Sequence, residues 1–208
     1  MQNRLPILAI ALCCIAVSAG CHQPAFVFSQ HSVVDSSNQT FDESLPGTWA
    51  TYVDDQPAID STEPCIQIKI SRDSAASSDY LFQFLDPNGK PDGLAGKMRL
   101  LQIRQHQYVE LESVVPADQP LAIADKPLSR IYHLWHFSKS DDQITISGFP
   151  DSKRIEQLEL SDILEKDRVS KYGQIITSRS ESLRMFLRRH GGEMNSTTET
   201  FVRLNRGS

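Results

Sequence analysis

The chain has 208 residues, of which 39% are hydrophobic, so it is long enough for one domain with an ordinary core and a tail. Its formal net charge of −5 argues against a nucleic-acid partner, because phosphate backbones are bound by an excess of lysine and arginine. The same charge argues against adhesion to an anionic lipid surface by charge alone. Beyond the N-terminus, no apolar run in the sequence approaches the roughly 20 residues that a membrane-spanning helix needs.

The first 20 residues have the layout of a cleaved export signal. Arg4 gives the start a positive charge, a short apolar stretch follows, and small residues precede Cys21. Small residues directly before a cysteine resemble the bacterial lipobox, which implies a leader over residues 1–20 and a diacylated thiol at Cys21. The alternative is ordinary cleavage after Ala19 or Gly20, which would leave a free thiol and a secreted or periplasmic protein.

The residues after the cysteine predict how the protein is held. His22 occupies the position where an aspartate would indicate retention at the inner membrane, so we expect a lipid anchor in the outer membrane of the cell envelope. Two or more acyl chains anchor stably, because each buried methylene contributes about 0.8 kcal/mol. Residues 21–43 are mostly polar after Val34, which predicts a flexible tether.

Residues 44–208 are predicted to form one β-rich domain. Gly47-Thr48-Trp49 opens its first strand, and residues 65–71 then alternate strictly, with isoleucines on one face. Spacing of about ten residues between short strands favours a barrel or a sandwich over βαβ units. Further strands are predicted over residues 80–85, 97–104, 107–113, 129–138 and 143–147, with turn-rich loops over 86–93 and 114–127.

The period changes after Asp151, where short helical pieces are predicted. Ser178 and Glu181 have the spacing of a capping box, which predicts a helix that ends at Gly191-Gly192. Its apolar residues would pack on the barrel: Leu183, Phe186 and Leu187. Residues 201–206 are predicted to form a short closing strand.

Gly47-Thr48-Trp49 at the first strand, several hairpins, one C-terminal helix and a last strand together resemble the lipocalin-like (calycin) barrels. The resemblance covers roughly residues 44–206 and implies a mainly β, antiparallel barrel. It also implies that Trp49 packs at the closed end, with Gly47, beneath an arginine near the last strand. Some bacterial members are outer-membrane lipoproteins, which agrees with Cys21. Three residues compete for the role of that arginine, and our working assignment is the second of them: Arg179, Arg203 and Arg206.

A His-x-x-His pair lies in the most strongly β-like segment. On a strand, a spacing of three puts His133 and His136 on opposite faces, so one strand cannot offer both to one metal. A lone strand histidine is more often structural than a metal ligand. If the face that carries Trp135 points into the barrel, four residues would line a ligand site: Ile131, His133, Trp135 and Phe137.

No catalytic constellation is visible in the sequence. Gly-x-Ser-x-Gly, a phosphate loop and His-Glu-x-x-His are all missing. Glu110 and Glu112 share a strand face, but carboxylates beside Tyr108 more often form a solvent face. Cys65 is more often a small buried side chain than a nucleophile. We therefore expect no enzyme, no metal and no cofactor.

Two functions remain as expectations. The first is an exported, lipid-anchored barrel that binds a small apolar or amphipathic molecule. The alternative is a structural or protein-interaction lipoprotein with a filled barrel, which acts by docking to an envelope protein. An internal cavity of about 300–1,000 Å³ would favour the first.

Overall fold

A computed structural model describes residues 28–51, 66–114, 121–123, 126–128, 130–148, 166–169, 173–176, 178–193 and 198–204. The predicted leader, Cys21, Cys65 and the helical pieces predicted after Asp151 lie outside these residues. Within them, no helix is both long and apolar enough to cross a bilayer.

In chain order, the strands are β1 (Phe28–Ser29), β2 (Gln39–Thr40), β3 (Gly47–Thr51), β4 (Ile66–Arg72), β5 (Tyr80–Leu85), β6 (Pro91–Ile103), β7 (His106–Val114), β8 (Leu121–Ile123), β9 (Lys126–Leu128), β10 (Arg130–Ser140), β11 (Gln143–Ser147), β12 (Lys166–Val169), β13 (Gly173–Ile176) and β14 (Thr198–Arg203). The helix α1 spans Ser180–His190 and continues into a single 3-10 turn, Gly191–Glu193.

Eight of these strands close into an antiparallel barrel, in the order β3-β4-β5-β6-β7-β10-β11-β14 and back to β3. The last strand makes the closure, because Val202 and Arg203 pair with β3 while residues 198–202 pair with β11. The predicted fold class is therefore confirmed: a mainly β, closed antiparallel barrel with a helix near the C-terminus and a short closing strand.

Alternation along the strands sorts the apolar side chains into two clusters. One fills the barrel interior, and the other lies between the outer face of the sheet and α1. The helix buries the three residues predicted for it, Leu183, Phe186 and Leu187, against the outer cluster. The interior cluster includes Leu45, Trp49, Ile68, Ile70, Tyr80, Phe82, Met98, Leu100, Val109, Leu111, Phe137, Ile144 and Phe201.

The second part of the predicted tether is not free of the barrel in the structure. Residues 28–43, which we call the N-terminal strap, cross the outer face of the barrel. Strand β1 pairs with β10, β2 pairs with β6, and Val33 is only 1% exposed within the outer cluster. Arg184 of α1 holds the strap from outside through Asp35, at 3.1 Å. The polar composition of residues 28–43 therefore does not indicate a free tether, because their polar side chains bond to the barrel.

Other local predictions were wrong at the ends of elements. Strand β6 begins at Pro91, inside the predicted loop, because a proline is compatible with the first residue of a strand. The predicted loop over 114–127 contains the start of a small hairpin, β8–β9. The capping box does not form: the N-cap is Arg179, which makes no side-chain capping bond, and Ser178 is buried outside the helix.

Candidate ligand-binding site

The closed end of the barrel is built around Trp49. This indole is fully buried, and its Nε1 donates a hydrogen bond to the Leu45 carbonyl at 3.0 Å. Leu45 precedes the first barrel strand and is itself fully buried in the interior cluster. A buried indole keeps its apolar area out of water only when its N–H is satisfied, and the turn before β3 supplies that acceptor.

Arg203 is the arginine that covers the indole. Its guanidinium carbon lies 4.2 Å from the centre of the Trp49 ring, and its N–H groups donate to the carbonyls of Pro46 and Ser44. A cation over an indole face is attracted by the ring quadrupole. Gly47 leaves the room for this arrangement, because a Cβ there would lie 2.6 Å from Arg203 Nη1.

The other two candidate arginines do not take this role among the described residues. Arg179 is the N-cap of α1, on the outside of the barrel, and Arg206 lies outside the described residues. The structure thus brings together three residues from the two ends of the domain: Gly47, Trp49 and Arg203.

The strap completes the closed end before it enters β3. Phe41 stacks on Tyr80 with ring centroids 5.3 Å apart, and the Tyr80 hydroxyl donates to the Asp42 carbonyl and accepts from the Asp42 N–H. Lys139, from the end of β10, lies 3.1 Å from the Asp42 carboxylate and donates to Ser44 Oγ. Apolar stacking and charged pairs therefore both seal this end.

The interior changes character towards the far end of the barrel, defined as the end opposite Trp49. Strand β4 begins there and strands β5 and β11 end there, because neighbouring strands are antiparallel. Apolar side chains near these strand ends and at the middle of β10 are only partly buried against the interior cluster: Ile66, Phe84, Trp135 and Ile146. Apart from Phe41, which the strap adds at the closed end, the partly buried apolar side chains of the interior therefore lie towards the far end or at the middle of β10.

The four residues predicted to line a ligand site share the inner face of β10. The Phe137 and Trp135 side chains pack with the interior cluster, and alternation puts Ile131 and His133 on the same face. His133 and Phe137 are buried, whereas Ile131 and Trp135 are half-buried. The structure therefore places two half-exposed apolar side chains and one buried imidazole on this part of the inner wall.

His133 is the polar member of this wall. It is 5% exposed, and its ring centroid lies 5.8 Å from that of Trp135. Burial lowers the pKa of His133 to about 4, because the imidazolium would lose its hydration. The imidazole is therefore neutral at pH 7, so it is a polar but uncharged group on this wall.

The inner wall also contains an acidic residue that the sequence analysis missed. Glu199 pairs with Ile146 in the barrel, two residues before the inward-facing Phe201, so it lies on the inner face. It is partly exposed. The signal that could have found it was the alternation of Glu199, Phe201 and Arg203 along the closing strand.

The outer face of the sheet carries the second histidine of the His-x-x-His pair. His136 lies there, against His106 and Tyr108, with ring centroids 5.6 and 5.5 Å away. His133 and His136 therefore face opposite sides of the strand. Within the described residues, no group of three or more His, Cys, Asp or Glu side chains is placed to hold a metal ion.

The prediction that Glu110 and Glu112 form a solvent face was wrong. Glu110 is 1% exposed, because the strap crosses directly above it. Its carboxylate accepts hydrogen bonds from the Ser32 hydroxyl and the Val33 N–H, both at 2.7 Å, and pairs with Arg99 at 3.2 Å. The carboxylate serves as the docking point of the strap.

The two carboxylates belong to one charged network. Glu112 pairs with Arg99 at 2.6 Å and with Arg130 at 2.7 Å, and Arg99 also lies 3.4 Å from Asp79. Desolvation raises the pKa of Glu110, although its hydrogen bonds and Arg99 act in the opposite direction. These partners leave no free carboxylate pair for acid–base chemistry at this position.

The chain matches no protein-family model, no curated protein and no solved structure. The fold and the geometry of its interior are therefore the basis for a functional proposal.

Proposed function

We propose that this protein is a lipocalin-like, lipid-anchored protein of the bacterial cell envelope that binds a small apolar or amphipathic molecule at the far end of its barrel. The proposal is carried by one observation, the change in burial along the interior. Trp49 and Leu45 are fully buried at the closed end, whereas Trp135 and Phe84 remain partly exposed. Partly exposed aromatic side chains on an inner wall gain from an apolar occupant, because its binding removes their surface from water.

The polar residues on the same wall suit an amphipathic molecule better than a pure hydrocarbon. Ligand sites are mostly apolar with a few polar groups that fix orientation. His133 is neutral at pH 7 and lies beside Trp135, and Glu199 lies near Ile146. A ligand on this wall would therefore meet polar as well as apolar side chains.

Contact quenching of tryptophan tests this site, because the chain has two tryptophans at different depths. The sample is the chain without residues 1–20 and with Cys21→Ser, titrated with a brominated fatty acid, which quenches indoles only at close range. We expect saturable quenching in the wild-type domain and its loss in Trp135→Phe, whose remaining indole, Trp49, lies at the closed end. Saturable quenching that survives in Trp135→Phe would place the ligand elsewhere.

The alternative function, a structural or docking lipoprotein, is favoured by the packing at the closed end of the barrel. Side chains fill the interior there, as in small barrels without ligands: Leu45, Trp49 and Phe201. A folded domain that shows no quenching with any acyl chain length would support this alternative.

The anchor has its own test. Palmitate labelling in a bacterial host should mark the wild-type chain and not Cys21→Ser, because only the thiol at the cleavage site is acylated in a lipoprotein. Equal labelling of both chains would remove the lipid anchor from the proposal. The barrel and its site would be unaffected by that result.

A further inference from the structure

Strand β10 extends further towards the far end of the barrel than its neighbour β11. The pairing of these two strands covers residues 136–140 of β10 and stops where His136 pairs with Ser147. Residues 130–135 continue past this point for about 20 Å, paired with β7 on their other edge. Three of the four residues of the proposed ligand site lie on this overhang: Ile131, His133 and Trp135. The barrel strand β11 therefore does not cover this edge of the site wall.

Strand β1 of the strap covers part of the same edge. Its two residues pair with β10, Phe28 with His133 and Ser29 with Tyr132, and Ser29 is only 3% exposed. Strand β13 pairs with the other edge of β1, and β12 pairs with β13, so the sheet continues past β10. We call the three strands β1, β13 and β12 the side flap. Among the described strands, the hydrogen-bonded connection of the side flap to the barrel runs through β1.

This connection is short compared with the other pairings of β10. It joins only Phe28 and Ser29 to β10, whereas the pairing with β7 extends from Arg130 to Phe137. Segments that are held by few contacts open locally at a much lower free energy than the core strands of a domain. The side flap is therefore the part of the site wall that opens most easily.

A bend separates β1 from the rest of the strap. The Ser29 hydroxyl donates to the His31 carbonyl at 2.7 Å and accepts from the His31 N–H at 3.1 Å. The strap is fixed to the barrel only after this bend, where the Val33 N–H donates to Glu110. Strand β1 can therefore leave β10 while the strap stays bound at Val33.

We propose that the side flap is the gate of the far-end site: β1 separates from β10, admits the ligand through the side of the barrel, and then pairs with β10 again. This inference rests on the proposed function, because it names the way into that site. Separation of β1 would expose the edge of residues 130–135, on the strand that carries the partly buried Trp135. The closed end offers no such way in, because Trp49 and Arg203 fill it. Segments that open and close over a site commonly set the rates of binding and release.

A disulfide between β1 and β10 tests the gate. Ser29 and Tyr132 lie directly opposite each other, and such residues in antiparallel strands have Cα atoms about 4.5–5.5 Å apart, which a disulfide can span. Tyr132 lies on the outer face, since the next residue, His133, lies on the inner one, so Ser29→Cys/Tyr132→Cys leaves the inner wall unchanged. The background is the chain without residues 1–20, with Cys21→Ser and Cys65→Ser, which contains no other thiol.

Stopped-flow mixing with the brominated fatty acid gives the association and dissociation rates through the quenching of tryptophan fluorescence. We expect both rates to fall at least about ten-fold in the oxidised form of Ser29→Cys/Tyr132→Cys and to recover when the disulfide is reduced. The dissociation constant should change less than about two-fold, because a gate alters the path to the bound state and not the bound state itself. A changed dissociation constant with an unchanged association rate would overturn the gate.

The matched control is Ser138→Cys/Thr145→Cys, which joins the outer face of β10 to β11, where the wall is already closed. This disulfide should change neither rate by more than about two-fold, because it restrains no part of the side flap. Equal slowing by the two disulfides would overturn the gate. Rapid binding to oxidised Ser29→Cys/Tyr132→Cys would also overturn it, because the ligand would then enter by another way.

A second variant acts in the opposite direction. Glu110→Ala removes the acceptor for Ser32 and Val33, which hold the strap just after β1. Association with the brominated fatty acid should therefore become at least about three-fold faster in the folded variant, because a looser strap opens more often. Association at the wild-type rate would contradict the gate.

Hydrogen exchange separates the gate from the proposed function, because it needs no ligand. Amides within residues 130–135 should exchange more slowly in the oxidised form of Ser29→Cys/Tyr132→Cys than in its reduced form, while those within residues 136–140 should not differ. Equal exchange over residues 130–135 would overturn the gate even if the ligand binds. Saturable quenching that is absent from every chain would instead contradict the proposed function.

Discussion

The Arg203 guanidinium carbon lies 4.2 Å from the centre of the Trp49 ring, so the last strand of the barrel covers the first at its closed end. Arg203 also donates to two carbonyls of the segment that leads into β3. These contacts join residues more than 150 positions apart in the chain. The hydrogen bond to Pro46, for example, spans 157 positions. The Arg203 side chain therefore adds contacts to the backbone pairing that closes the barrel.

Arg203→Met should lower the free energy of unfolding by about 2–4 kcal/mol, because it removes the cation from the indole and two charge-assisted hydrogen bonds. Urea unfolding followed by tryptophan fluorescence measures the change. The control is Arg188→Met, on the exposed face of α1, which should change stability by less than about 0.5 kcal/mol. Equal effects of the two variants would show that Arg203 contributes no more than a surface residue.

Gly47→Ala should destabilise the domain by about 1–3 kcal/mol, because the new methyl group would overlap Arg203 Nη1. The same substitution in an Arg203→Met background should cost clearly less, since the flexible thioether can move aside. A double-mutant cycle by urea unfolding gives the coupling energy between the two positions. Additive effects would mean that Gly47 is needed for a reason other than this close approach.

Glu110→Ala should detach the strap from the barrel. The change removes the acceptor for Ser32 and Val33 and one partner of Arg99, a loss of about 2–4 kcal/mol. Hydrogen exchange at the Val33 amide should become faster than in the wild type, and a protease should cut within residues 28–43. Glu43→Ala, an exposed change in the same strap, should leave both measurements unchanged. A protected Val33 amide in Glu110→Ala would mean that packing alone holds the strap.

The strap also shows what the sequence could not reveal. Local alternation gave the bounds of β5 and β11, because short strands with turns at both ends carry their pattern within a few residues. The strap is ordered by a carboxylate 77 positions away, and no local pattern reports such a contact. Because no local pattern reveals this contact, the sequence alone predicts that Glu110 faces solvent.

The candidate site could be predicted from the sequence only in part, because local alternation does not show which face of a strand is the inner one. Alternation placed Ile131, His133, Trp135 and Phe137 on one face of β10, but only the closed barrel shows that this face is the inner one. The choice of Arg203 among three arginines likewise needed the pairing of β14 with β3. Glu199 was missed because the predicted closing strand begins at Phe201, whereas the strand in the structure begins at Thr198.

Stability should fall as the pH is lowered through the range in which His133 titrates. Its pKa is about 4 in the fold against 6.5 for the ordinary side chain, so the buried imidazole stabilises the fold above pH 6.5. This contribution is lost between pH 6.5 and 4, and at 1.36 kcal/mol per unit it amounts to about 3 kcal/mol. Burial lowers the pKa of His136 too, so it acts in the same direction.

His133→Leu should therefore flatten the dependence of unfolding free energy on pH between 6.5 and 4, measured by urea unfolding at several pH values. His133→Gln, which is polar but does not titrate, should flatten it as well. An unchanged slope in both variants would mean that His133 is not neutral and buried in the fold.

Native mass spectrometry shows directly whether the far end of the barrel holds a small apolar or amphipathic molecule. The chain without residues 1–20 and with Cys21→Ser is incubated with a bacterial lipid extract and compared with the same chain carrying Ile131→Trp, which adds a bulky side chain to the inner face of β10. We expect one bound molecule per wild-type chain and none on the Ile131→Trp chain. No bound species on the folded wild type, or equal binding to both chains, would contradict it.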